Sequence, residues 1–119
     1  MNIIHEIKLK IASGTVIPKP EAKADFVVKG WGMRRGEAAL IYRILNHKNP
    51  SRPFEKGVTE GEWYKAYNHL INGESFTRDW FTRNMSNCAK EGGCNFTTIG
   101  GVFQLLGMVD YERGVYKPR

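Results

Sequence analysis

The sequence predicts a mostly helical α+β domain, in which a three-helix core is closed by a C-terminal β-hairpin and preceded by an N-terminal arm. Three observations carry this reading. Ile99, Val102, Phe103 and Leu106 fall at i, i+3, i+4 and i+7, one apolar stripe on a last helix. Thr59-Glu60-Gly61-Glu62 is a capping box that opens an earlier one. Met108-Val109 and Val115-Tyr116 flank a polar tip, Asp110 to Gly114, suited to a hairpin.

The elements follow in order. Over 3–13, Ile4, Ile7 and Ile11 suit a helix stopped by Gly14, while Ile7, Leu9 and Ile11 alternating with lysines suit a strand; the helix is preferred. Pro18 and Pro20 keep the next residues extended, so 14–25 reads as an arm over the surface. Phe26-Val27-Val28 is a short strand. Lys29 to Gly36 holds three glycines and three cations around Trp31 and reads as a loop. Residues 37–45 carry Ala38, Ile41, Tyr42 and Leu45 on one helical face; a strand using Leu40, Tyr42 and Ile44, paired onto 26–28, is the alternative. Two prolines and two asparagines make 46–57 a loop.

From Thr59 onward the helical signals dominate. Trp63, Ala66, Tyr67, Leu70 and Ile71 form an apolar face that ends near Gly73. Thr77 caps a second helix, with Phe76 and Phe81 placed as a hydrophobic staple and Trp80, Phe81 and Met85 facing inward. Residues 88–95 form a glycine-broken turn into the last helix, which Asn95 or Thr97 caps and Gly107 ends. Domain organisation is therefore simple. Residues 1–119 form one unit, with 1–25 as N-terminal element and arm, 26–58 as a basic segment and 59–119 as the helical core with its hairpin.

Charge is unevenly placed. Of the net +6, the segment Lys29–Lys56 supplies +5, from seven cations against Glu37 and Glu55. Such a concentration suits an anionic partner, most simply nucleic acid. Fourteen aromatics and 41% hydrophobic residues are ordinary for a folded domain. The first ten residues lack a signal-peptide pattern, and the charge-free run Gly92–Val109 is too short and polar to span a bilayer, so a cytoplasmic protein without membrane contact is expected.

Catalytic chemistry is not signalled. Glu60, Glu62, Glu74 and Asp79 have helix-start or surface explanations, and a single Glu37 beside Arg34 and Arg35 is too little to hold catalytic magnesium. Cys88 and Cys94 have five residues between them, outside zinc-ligand spacing, and His47 and His69 lie on other elements. Buried thiols or a Cys88–Cys94 redox pair remain the alternatives, and no metal or cofactor is expected.

The order of three helices and a hairpin, with Thr97–Tyr116 at its end, is similar to a winged helix-turn-helix. Gly100-Gly101 inside its last helix departs from that pattern and implies close approach of another backbone or of nucleic acid. Lys29-Gly30-Trp31-Gly32, Arg34-Arg35-Gly36-Glu37 and Cys88 to Gly101 resemble a small uncharacterised domain of bacterial and mobile-element proteins, which implies that context but no activity. The expected function is non-catalytic binding of nucleic acid, double-stranded DNA first. Thr98 and Gln104 would sit near base edges, Trp31 would stack, and Lys29, Arg34, Arg35, Arg52, Lys56 and Arg113 would hold phosphates. The alternative is a protein-interaction module, or a homo-oligomer, using the glycine-rich last helix and aromatic surface.

Overall fold

The computed structural model describes residues 2–20, 24–46 and 48–119. A helix α1 (Ile3–Lys10) is followed by strands β1 (Phe26–Arg34), β2 (Glu37–Ile44) and β3 (Phe54–Thr59), then helix α2 (Glu60–Ile71) and a two-residue strand β4 (Phe76–Thr77). Helices α3 (Arg78–Asn84), α4 (Ser86–Glu91) and α5 (Cys94–Leu105) come next, and strands β5 (Val109–Glu112) and β6 (Val115–Pro118) complete the order. Two antiparallel three-stranded sheets result, ordered β1-β2-β3 and β4-β6-β5. The fold is α+β as expected, but strand takes 30% of it against 39% helix, so the mostly helical expectation does not hold.

The main departure lies in residues 29–57. The glycine- and arginine-containing loop is instead a hairpin, whose turn places Arg35 at φ 49° and Gly36 at φ 79°. Two successive positive φ values are the signature of a type I′ turn, which matches strand twist and favours glycine at its second position. Residues 37–45 fit a helix by spacing, yet Ala39, Leu40, Ile41 and Tyr42 are consecutively buried. Four buried residues in a row need both faces covered, and a central strand supplies that. Leu40 and Tyr42 enter the main core with Val58, whereas Ala39 and Ile41 pack on the other face beside Gly57 and Arg34. The strand alternative, paired back onto 26–28, is the one realised. The predicted loop 46–57 is shorter than expected, because β3 begins at Phe54.

Local signals elsewhere held. α1 buries Ile3, Ile4 and Ile7 against α2, with the Asn2 side chain accepting from the His5 N–H. The capping box at Thr59 is complete in both directions. Thr77 accepts from the Trp80 N–H, and the Phe76 and Phe81 rings meet at 6.1 Å. Gly107 adopts φ 74° just beyond α5. The single helix expected after Thr77 is broken at Met85 into α3 and α4, so four helices rather than three lie between 60 and 105. Helix α4 also takes in Cys88 to Glu91, which were assigned to the turn.

Helix α5 is the centre of the molecule, with eight of its twelve residues buried. Neither Asn95 nor Thr97 caps it; Gly93 occupies that position with no side-chain hydrogen bond. Asn95 is instead fully buried, accepting from the Tyr42 hydroxyl at 2.6 Å and donating to the Cys88 carbonyl at 2.9 Å. Gly100 faces the Tyr116 ring, and Gly101 faces Ile17 and the Pro18 carbonyl of the arm. The close approach anticipated at these glycines is thus intramolecular. The arm pairs with β1 through Gly14, Thr15 and Ile17, and Ile17 enters the core at 1% exposure. No helix among the described residues is long and apolar enough to cross a membrane.

Candidate nucleic-acid interface

The residues expected to bind nucleic acid are not brought together as one surface. Lys29 pairs with Glu55 at 3.0 Å, and Arg43 pairs with the same carboxylate. The two cations hold the Glu55 carboxyl below its ordinary range. Trp31 is half-buried against the core with the Lys8 ammonium 5.0 Å from its ring, so one face is occupied, and it lines a cavity with Lys29 and Arg34. Arg34 reaches Glu91.

Arg35 is tied more tightly still. Its guanidinium binds both oxygens of Glu62, at 2.6 and 3.0 Å, donates to the Gly57 carbonyl at 2.9 Å and pairs with Glu91. The Gly57 N–H in turn donates to Glu91. Together Arg35 and Glu91 therefore cover the outer edge of β3, which would otherwise present unpaired backbone groups. These two arginines are a clasp between the β1–β2 turn, β3, α2 and α4, and not a phosphate cradle.

The base-reading assignment fails for a different reason. Thr98 is 0% exposed, its hydroxyl beside the Tyr42 phenol, and so faces the sheet rather than solvent. Gln104 is half-buried with its Oε1 enclosed and without a hydrogen-bond partner. The arm and the β1-β2-β3 sheet occupy the sides of α5 that a groove-inserting helix would need free. Gly100 and Gly101 themselves are covered by Tyr116 of β6 and by Ile17 and Pro18 of the arm.

A smaller set of cations remains available. Among the described residues, Lys8, Lys48, Arg52, Lys56, Lys65, Arg78, Lys90 and Arg113 form no ion pair with a carboxylate. Lys56 and Arg78 converge on the Gly92-Gly93 turn. The Lys56 ammonium donates to the Glu91 carbonyl at 2.8 Å, and its stem lies beside Gly92. Arg78 donates to the Gly93 carbonyl at 3.1 Å and lies over the Phe96 ring at 4.6 Å. Carbonyl bonds fix both side chains without neutralising them. They flank the first turn of α5, the positive end of that helix's dipole, where the Asn95 and Phe96 N–H groups donate to the Gly92 and Gly93 carbonyls.

From this rim Arg78 extends into a cavity of about 230 Å³ lined also by Pro20, Phe96, Thr97, Tyr111, Gly114 and Tyr116. Arg113, exposed at the tip of the β5–β6 hairpin with φ 48°, adjoins Gly114. Arg52 stands apart, exposed between β2 and β3. Arg78 escaped the sequence reading because a cation between the cap Thr77 and Asp79 looks like an ordinary helix start. The Gly92-Gly93 pair, whose carbonyl at Gly93 accepts from Arg78, is the sequence signal that lies beside it.

Both cysteines are free thiols. Burial pushes the Cys88 thiol well above the ordinary range, which leaves it a poor nucleophile. The Cys94 sulfur lies 3.2 Å from the Tyr42 hydroxyl oxygen, whose single proton goes to Asn95. Of the histidines weighed as ligands, His69 stacks on Trp80 at 3.9 Å and bonds the Ser75 carbonyl, whereas His47 lies outside the described residues. Comparison with known proteins returns no match to a family, to a curated sequence or to a solved structure.

Proposed function

We propose that this domain is a non-catalytic nucleic-acid-binding module, a winged helix enlarged by an N-terminal helix and sheet, that grips the backbone of duplex DNA. The observation that carries the reading is the convergence of Lys56 and Arg78, both without a carboxylate partner, on the Gly92-Gly93 turn at the start of α5. Supporting it is the run of elements from α2 to β6, with β4 recruited into the sheet of the terminal hairpin as in a wing braced against helices. In this reading the wing tip at Arg113 and the α5 N-terminus hold phosphates, and base-edge contacts from the body of α5 play no part. Phosphate contacts of this kind give affinity with little sequence preference.

Fluorescence anisotropy with a mixed-sequence duplex at low salt tests the proposal. Lys56→Ala combined with Arg78→Ala is expected to weaken binding about tenfold or more for every sequence alike. Undiminished affinity in a folded double variant would remove these residues from the interface.

A protein-interaction reading draws on a different surface. Ile71 is 58% exposed beside a groove lined by Leu70, Gly73, Met108 and Pro118. An apolar contact there responds weakly to salt, which separates it from phosphate binding.

A further inference from the structure

We infer that the exposed ring of Phe54 stacks on a single unpaired nucleobase, so that the preferred ligand is a duplex carrying an unpaired end. This deepens the function proposed above and rests on it. Phe54 is 53% exposed. Among the described residues, no second ring and no cation lies over it. A bare aromatic ring between cations is the composition of a stacking platform for single-stranded nucleic acid, because every base has a π-face.

Strand register places the ring beside the phosphate grip. Phe54 opens β3 opposite Ile44, and Lys56 lies opposite Tyr42. Residues two apart on a strand share a face and lie ~6.8 Å apart. Phe54 therefore stands next to Lys56 on the face from which the Lys56 side chain reaches the Gly92-Gly93 turn. Glu55, between them, points to the opposite face, where Lys29 and Arg43 hold its carboxylate.

Arg52 follows two positions before the ring, so that cation, ring and cation alternate as Arg52, Phe54 and Lys56. The connection that carries Arg52 is held in shape. Asn46 Nδ2 donates to the Arg52 carbonyl at 3.1 Å, Asn46 Oδ1 accepts from the Lys48 and Asn49 N–H groups, and the Arg52 N–H donates to the Asn49 carbonyl at 2.9 Å. Neither Arg52 nor Lys56 pairs with a carboxylate, and charge of this sign on both sides of the ring suits consecutive phosphates of one strand rather than an apolar peptide. A strand with one phosphate at the Lys56–Arg78 rim and the next toward Arg52 carries a base over Phe54. Paired bases are stacked inside a duplex and cannot meet the ring, so the base must come from an overhang, a gap or a frayed end.

Three ligands test the inference by anisotropy: a blunt duplex, the same duplex with a three-nucleotide overhang, and that overhang made abasic so that phosphates stay and bases go. The base-bearing overhang is expected to bind about tenfold more tightly than the abasic one, a typical gain from stacking one base. Phe54→Ala is expected to abolish that difference, and Phe54→Tyr, which keeps a ring, to retain it. Should Phe54→Ala fail to fold, 5-iodouracil placed in the overhang reads the same event in the unaltered protein, as a light-induced crosslink mapped to Phe54 by peptide mass spectrometry. Equal affinity for both overhangs, a difference that survives in Phe54→Ala, or a crosslink absent from Phe54, with blunt-duplex binding intact, overturns the stacking site and leaves the backbone-binding reading standing. Absence of binding to all three ligands overturns both.

Discussion

Gly100→Ala is expected to lower the melting temperature by about 10 °C. The added methyl would overlap the Tyr116 ring, which is 1% exposed. That ring cannot swing aside, because Phe76, Phe96 and Tyr111 stand around it. Overpacking a site with no room to relax costs about 3 kcal/mol, against which alanine returns about 1 kcal/mol of helix propensity. A net loss of about 2 kcal/mol in a domain of this size gives the stated shift. The substitution probes the docking of α5 onto the β4-β6-β5 sheet, the contact that joins the hairpin to the helices. An unchanged melting temperature would mean that this contact is not made.

Arg35→Ala is expected to damage stability and leave nucleic-acid affinity nearly unchanged, the reverse of what a phosphate-binding arginine would do. The residue makes charge-assisted hydrogen bonds to Glu62 and a bond to the Gly57 carbonyl. Bonds to charged groups contribute ~1.5–3 kcal/mol when removed; the side chains are 23% and 16% exposed, so solvent screening brings the expected loss to about 2 kcal/mol.

The pH dependence carries a further signature. Burial pushes the Glu62 carboxyl up, but Arg35, the Thr59 N–H and the Cys88 thiol outweigh it and hold the carboxyl below its ordinary value. A depressed carboxyl stabilises the fold above its unfolded pKa, and that contribution fades as pH falls through the folded value. The gap in stability between the natural protein and Arg35→Ala is therefore widest near neutrality and narrows on acidification. Chemical denaturation at several pH values measures it. A gap that is constant with pH would mean that the Arg35–Glu62 pair does not form.

These two residues also mark how far the sequence could be read. Signals contained within a few positions were legible: the Thr59 capping box, the Phe76–Phe81 staple, Gly107 after the last helix and the hairpin that follows it. Residues 37–44 were not, because their spacing fits a helix as well as a strand. The choice is made by partners at 26–34 and 54–59 that local pattern does not reveal. Arg34 and Arg35 looked like free cations because their neutralising carboxylates, Glu62 and Glu91, are distant in the chain. Thr98 looked outward-facing because helical spacing identifies one apolar stripe. It gives no warning that the arm at Ile17 and Pro18, and the sheet at Tyr42, bury the remaining sides. Arg78 became recognisable only once the Gly92-Gly93 turn was seen to lie against it.

The salt dependence of duplex binding tests the backbone-gripping account most directly. With Lys56, Arg78 and Arg113 each on a phosphate, the logarithm of the association constant should fall against the logarithm of salt concentration with a slope of about −2.7, at ~0.9 per contact. Arg78→Ala should lower that slope by about 0.9. A slope near zero, or no binding at low salt, would contradict the account and direct attention to the apolar groove at Ile71.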